Sequence, residues 1–121
     1  MQATPQYCWP LLRERLETEV WVKHENHSPN GAFKICGGLV YFSHLANSSA
    51  IPKGVVCATR GNHVQSVGFA ARRYGIHATI VVPLANGVVN NAAMRALGVK
   101  LLELCDDFST AREFVKKVAG E

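Results

Sequence analysis

The sequence lacks the short motifs that most often assign chemistry by inspection. It has no G-x-x-x-x-G-K-[ST] run for nucleotide phosphates, no G-x-G-x-x-G for dinucleotides and no G-x-S-x-G nucleophile elbow. Kinase, dehydrogenase and hydrolase readings are weakened accordingly. Its four cysteines, Cys8, Cys36, Cys57 and Cys105, include no C-x-x-C pair. That excludes the usual zinc and thioredoxin-like patterns and leads us to expect free thiols in a reducing cytoplasm. Basic residues never run longer than two, so the net charge of +4 reads as a solvated surface rather than a nucleic-acid footprint. The uncharged stretch from Tyr74 to Met94 is interrupted by Pro83, Gly87 and three asparagines, which a membrane helix would not tolerate together. No basic-then-apolar leader opens the chain, so secretion is not expected. His24 and His27 stand three apart, but on a strand and a turn with no evident third ligand. We expect no metal there.

What remains is an ordinary globular composition, 48% apolar and 18% charged over 121 residues. A chain of this size buries roughly two-thirds of its unfolded surface, enough for one domain or a piece of a larger one. Hydrophobic periodicity gives the elements. "EVWVKHE", residues 19–25, alternates as a strand, and after a turn at 26–31 a helix carries Ile35, Leu39 and Phe42 on one stripe. "ANSSAIPKG" is a turn-rich link. Beyond it the pattern predicts a strand at 54–59, a helix at 62–74 closed by Gly75, a strand at 78–83, a helix at 89–97 closed by Gly98 and a strand at 99–104. A last helix at about 108–119 has Asp106 or Asp107 as its cap, with Phe108, Ala111, Val115 and Val118 facing inward. Strands recurring every 20–25 residues with helices between them predict an α/β fold with an open, mostly parallel sheet and flanking helices. The middle strands are nearly continuous in Val and Ile, as when both faces are covered.

In such sheets ligands collect beyond the carboxyl ends of the strands. "TRGNHVQ", Thr59 to Gln65, occupies that place: Gly61 permits a tight turn, and the backbone N–H groups of Asn62 and His63 would face outward from a helix start. Two readings stand here: a site for a carboxylate or phosphate, and a plain N-cap by Asn62 with nothing bound. "SPNGAFKICGG", Ser28 to Gly38, sets Lys34 just after a Pro-Asn-Gly turn and just inside a helix. A helix N-terminus disfavours an ammonium by only about 0.3–1 kcal/mol, too little to hold a neutral amine at pH 7. Desolvation beside Phe33 or a covalent partner would have to supply the rest. By spacing alone Lys34 is either a solvated, snorkelling lysine or a group held inward for chemistry.

Together the two stretches resemble a known family. "KHENHSPNGAFKICGG" is similar to the motif around the Schiff-base lysine of fold-type II pyridoxal-phosphate enzymes, the threonine dehydratase, serine dehydratase and serine racemase group. "ATRGNHVQSVGFAARRYGIHATIVVP" resembles that group's Ser/Thr-x-Gly-Asn-His segment and the strand after it; "NNAAMRALGVKLLEL" and "DDFSTARE" follow in order. The likeness runs from about Thr4 to Glu121. It implies a partial tryptophan synthase β-like fold, with residues 1–50 in the large domain and 51–121 forming most of the small one. It implies pyridoxal 5′-phosphate as cofactor, joined through an imine to Lys34, with Phe33 packed near it and Asn62 hydrogen-bonded to its 3′-oxygen. Thr59 and the backbone of Gly61, Asn62 and His63 would hold the substrate carboxylate, and Lys34 would point inward.

The reaction so implied is an ammonia-lyase one: serine or threonine goes to a 2-oxo acid and ammonia, with Lys34 taking the Cα proton. The implied setting is cytoplasmic amino-acid metabolism, without nucleic acid or membrane partners. Three positions depart from the family pattern: Cys36, commonly arginine; Arg60, often a small residue; and Asn90, where lysine is expected and which reads as surface. Family members run to more than twice this length, and their later half supplies the glycine-rich phosphate loop and the residue facing the pyridine nitrogen. No G-G-G-x run occurs here, so we expect a truncated, inactive fragment. The alternative is a non-catalytic α/β remnant or subunit-interaction module. Either way, strand edges left without neighbours predict a homo-oligomer.

Overall fold

A computed structural model describes residues 2–59 and 61–120. Arg60 and the side chain of Cys105 lie outside the described residues. The chain divides into two compact units, residues 1–33 and 34–121.

The first unit is built on a short antiparallel pair. β1 (Gln6–Cys8) lies against β2 (Trp21–Lys23) with Tyr7 opposite Val22. Between them runs α1 (Pro10–Leu16), which has Pro10 in its first turn, where the missing N–H costs nothing. Neither β1 nor α1 was anticipated from the sequence, and the strand expected at 19–25 is shortened to its middle three residues. A three-residue strand offers too little period to read. The leucines of α1 face solvent instead of a core, Leu11 being 78% exposed. Trp9 donates its indole N–H to His24 Nε2 at 3.4 Å, and Tyr7, Trp9 and His27 all ring His24 with centroids within 6.2 Å of it. A 3-10 turn, Glu25–His27, then leads to a loop closed by Ser28, whose hydroxyl accepts from Ala32 N–H and donates to Ala32 C=O, each at 2.9 Å.

The second unit follows the α/β cadence. α2 (Lys34–Ala46) precedes β3 (Gly54–Ala58), α3 (Asn62–Tyr74), β4 (His77–Pro83), α4 (Val88–Ala96), β5 (Lys100–Cys105) and α5 (Phe108–Ala119). The sheet is wholly parallel in the order β3-β4-β5, with Cys57 beside Ile80 and Ile80 beside Leu101. β4 is central and its last four residues are all buried, which explains its unbroken Ile-Val-Val run. Alternate residues of the strands serve opposite faces. Ala78, Ile80 and Val82, with Val55, Cys57 and Leu101, meet Phe42 of α2, Val64, Val67, Ala70 and Ala71 of α3 and Met94 of α4. On the other face Val81, with Val56, Ala58 and Leu102, meets Ala111 and Val115 of α5. Each fully buried side chain of the size of Ile80 or Met94 stabilises the unit by about 1.5–3 kcal/mol.

Helix ends follow the sequence closely. Gly75 closes α3 at φ 67° and Gly98 follows α4 at φ 81°. Asp107, one of the two residues expected to cap α5, accepts the Thr110 N–H at 2.7 Å. One expectation for α5 fails: Phe108 and Val118 are 38% and 40% exposed, while Ala111 is fully buried. The core contact of the helix with the sheet is made through Ala111 and Val115. Asn90 is exposed, as expected. No helix among the described residues is long and apolar enough to cross a membrane.

Candidate functional site

Both motif segments of the second unit begin helices. Lys34 is the first residue of α2, and Asn62 and His63 are the first two of α3. The two helices pack side by side on one face of the sheet, sharing a core with Val55 and Cys57 of β3. Between them lies a cleft of about 410 Å³, lined by Lys34, Gly38, Tyr41, Cys57, His63 and Val67 among others. Lys34 and His63 thus stand on the walls of one space.

The turn before α3 is as the sequence implies, with one correction. Gly61, at φ 64° and ψ −138°, is itself the N-cap, in a conformation open to glycine and strained for other residues. Asn62 therefore lies inside the helix, exposed, and makes no capping bond, which removes the plain-cap reading of its side chain. Gly61 C=O accepts the Val64 N–H at 3.2 Å. The N–H groups of Asn62 and His63 have no carbonyl one turn earlier within the helix. Thr59, which follows the last residue of β3, is 7% exposed.

Lys34 is exposed, in contrast to the inward setting implied by the motif. The reason is helical geometry. The buried stripe of α2 is carried by Ile35 and Phe42, so the residue before Ile35 sits on the flank of that stripe, at the rim of the cleft. Its charge is nevertheless felt inside: His63 is lowered from the ordinary 6.5, first by loss of solvent around its ring and then by the Lys34 ammonium. Phe33 belongs to the first unit and is 63% exposed. Cys36 is half-buried.

Two groups escaped the sequence reading. Cys57 lines the cleft from the middle of β3, where burial pushes its thiol from 9.0 to about 11. The alternation of "GVVCAT" could have placed it on the same face as Val55. Ser66 of α3 is fully buried and donates its hydroxyl to the Lys34 carbonyl at 2.7 Å. Its partner lies 32 residues away, a contact that periodicity does not reveal. Cys8 and Cys57 are free thiols, and no group of three or more His, Cys, Asp or Glu side chains suited to a metal occurs among the described residues.

Comparison with known proteins gives this arrangement a lineage. Residues 2–121 match the family described as pyridoxal-phosphate dependent enzyme. The chain is 34% identical over 116 residues to the biosynthetic, chloroplastic threonine dehydratase 1 of Solanum lycopersicum, covering 96% of this chain and 19% of that protein. It superposes with a TM-score of 0.84 and 28% identity on the processed form of threonine deaminase isoform 2 from the same plant, covering 97% of this chain and 32% of that one. Serine racemase from Dictyostelium discoideum aligns with a TM-score of 0.82 and 28% identity, over 95% of this chain and 36% of that one. The chain thus spans about a fifth of the length of the tomato dehydratase, and that fifth holds both motif segments. On the match across residues 2–121, the chain belongs to the pyridoxal-phosphate dependent enzyme family.

Proposed function

We propose that these residues carry the lysine-bearing part of the active site of a pyridoxal-phosphate dependent ammonia-lyase that converts serine or threonine to a 2-oxo acid and ammonia. The observation that carries this reading is the placement of Lys34 and His63 on one cleft beside the start of α3. The donor set suits the cofactor: a primary amine at the rim for its aldehyde carbon, an apolar wall of Val55, Val56 and Val67 for its ring, and helix N–H groups nearby for an anion. When bound, the cofactor supplies an electron sink for a carbanion at the substrate Cα.

The chain's own residues then have distinct tasks. Lys34 Nζ would hold the cofactor, and its free amine would receive the substrate Cα proton. Asn62 would hydrogen-bond the cofactor's ring oxygen through its side-chain amide, and Phe33 would pack near the ring. Thr59 and the N–H groups of Gly61, Asn62 and His63 orient the substrate carboxylate at the helix start. We assign residues 1–50 to the large domain and 51–121 to most of the small domain.

By themselves these 121 residues are expected to bind the cofactor reversibly without enzyme-like turnover. The tomato relative is about five times as long, and orienting reactants accounts for about 7–11 kcal/mol of barrier lowering. The exposed side chains of Leu11, Trp21, Leu84 and Val88 favour self-association into a homo-oligomer.

An absorbance titration with pyridoxal phosphate tests the reading, with wild type compared to Lys34→Ala. A saturable imine band lost in the variant is the expected result. Equal, weak bands in both proteins would refute it, since they report ordinary surface lysines. A second reading, a non-catalytic module of the same ancestry, would gain if the band is specific to Lys34 but serine and threonine leave it unchanged.

A further inference from the structure

The contact between the two motif helices is closer than their sequences suggest. Ser66 sits one turn into α3, fully buried, and its hydroxyl reaches across to the carbonyl oxygen of Lys34 at 2.7 Å. In an α-helix that carbonyl already accepts the N–H of the residue four positions on, which is Gly38. A carbonyl has two acceptor sites, so both bonds are accommodated. They are accommodated only because position 38 has no side chain. A Cβ there would fall well inside contact distance of Ser66 Oγ, 3.0 Å from the Ser66 carbonyl oxygen and 3.3 Å from its carbon.

We infer that Ser66 and Gly38 form a positioning device, fixing the first turn of α2, and with it Lys34, at a set height against the first turn of α3. The inference deepens the proposed function by naming residues that hold its lysine in place, and it rests on that reading for its catalytic meaning. The geometry itself stands on two separate observations, a part-buried hydrogen bond from a fully buried serine and a close approach that only glycine permits. Ser66 touches no reacting group in this account. It acts through the backbone of Lys34, at the one residue where a small shift of the helix moves the amine directly.

Four variants separate positioning from packing: Ser66→Ala, Ser66→Cys, Gly38→Ala and the double variant Gly38→Ala/Ser66→Ala. Urea midpoints report packing. The ring C–H shift of His63, followed against pH by NMR, reports whether the Lys34 ammonium still sits at its place on the cleft, because solvent loss and that charge together lower His63. Lys34→Met sets the limit of the charge effect. In Ser66→Ala the His63 midpoint is expected to move up, in the direction Lys34→Met moves it, and the Lys34 imine with pyridoxal phosphate to weaken about fivefold, the effect of one net hydrogen bond. Ser66→Cys, which keeps a weak donor, should fall between wild type and Ser66→Ala. The double variant should regain part of the urea midpoint lost in Gly38→Ala, since the hydroxyl clash is gone while the contacts with the Ser66 backbone remain, and keep the displaced His63 midpoint.

An unchanged His63 midpoint in Ser66→Ala, with only the urea midpoint lowered, would overturn the inference and leave Ser66 as packing. Labelling of Lys34 by acetic anhydride, measured by peptide mass spectrometry against Lys53, separates this outcome from failure of the cofactor reading. If wild type shows no Lys34-specific imine yet Lys34 labelling changes in Ser66→Ala, the positioning stands and the cofactor reading falls.

Discussion

Raising the pH should destabilise this protein through one largely buried thiol. Cys57 lies mid-strand in β3 on the wall of the cleft, and burial pushes it from 9.0 to about 11. Between those two values the unfolded chain has released a proton that the native chain still holds. The unfolded state therefore binds fewer protons, and the free energy of unfolding falls as pH rises. The contribution is fully present below pH 9 and is lost by pH 11. Two pKa units correspond to about 3 kcal/mol, a large share of the roughly 5–15 kcal/mol that holds a domain together. Urea unfolding from pH 7 to 11.5, on wild type and Cys57→Ala, measures it. Lysine and tyrosine titrations are common to both proteins and cancel in the difference. The variant is expected to start less stable, having lost a packed sulfur, and to close or reverse that gap by up to about 3 kcal/mol as the pH passes from 9 to 11. A gap that stays constant across that range would refute the reasoning, as would rapid alkylation of Cys57 in the native protein at pH 8.

Other perturbations have equally definite directions. His63 is lowered by lost solvent and then by Lys34, so its contribution is present above the ordinary 6.5 and is lost as pH falls through the native value; His63→Gln should flatten the acid limb of the stability profile measured by urea unfolding. Asp107→Ala removes the side-chain acceptor for Thr110 N–H and should cost about 0.5–2 kcal/mol in thermal or urea unfolding. Gly61→Ala forces a side chain into φ 64°, ψ −138° and should cost about 1–3 kcal/mol in the same assays, with weaker anion binding at the start of α3 seen by NMR titration with acetate.

The α/β rhythm of the second unit was legible because each element there is long enough to show its period. The helix expected at 62–74 occupies Asn62–Tyr74, the last helix occupies Phe108–Ala119, and the strand expected at 78–83 begins only one residue earlier, at His77. β1 escaped because three residues carry no usable alternation, and α1 because its leucines do not define an inward face. Periodicity also overstated α5, marking Phe108 and Val118 as inward when Ala111 and Val115 make its core contact. At the site, spacing marked Lys34 and the Gly61 turn as candidates but could not choose between solvent and chemistry. The family likeness made that choice, and the exposure of Lys34 shows what it missed: Ile35, not Lys34, takes the inward position on α2. The Ser66–Lys34 bond was out of reach altogether, since nothing local to "HVQSVG" points to a carbonyl 32 residues earlier.

The central place of β4 divides the second unit by how readily its amides meet water. Val81 and Val82, buried on both faces between two paired strands, should exchange their amide hydrogens only when the unit opens globally. The amides of Asn62 and His63 at the start of α3 have no intrahelical acceptor and should exchange well before those of β4 at the same pH. The residues assigned to chemistry are thus set where deuterium enters first, and an anion or cofactor arriving at the cleft would announce itself as a local slowing there while β4 stays unchanged.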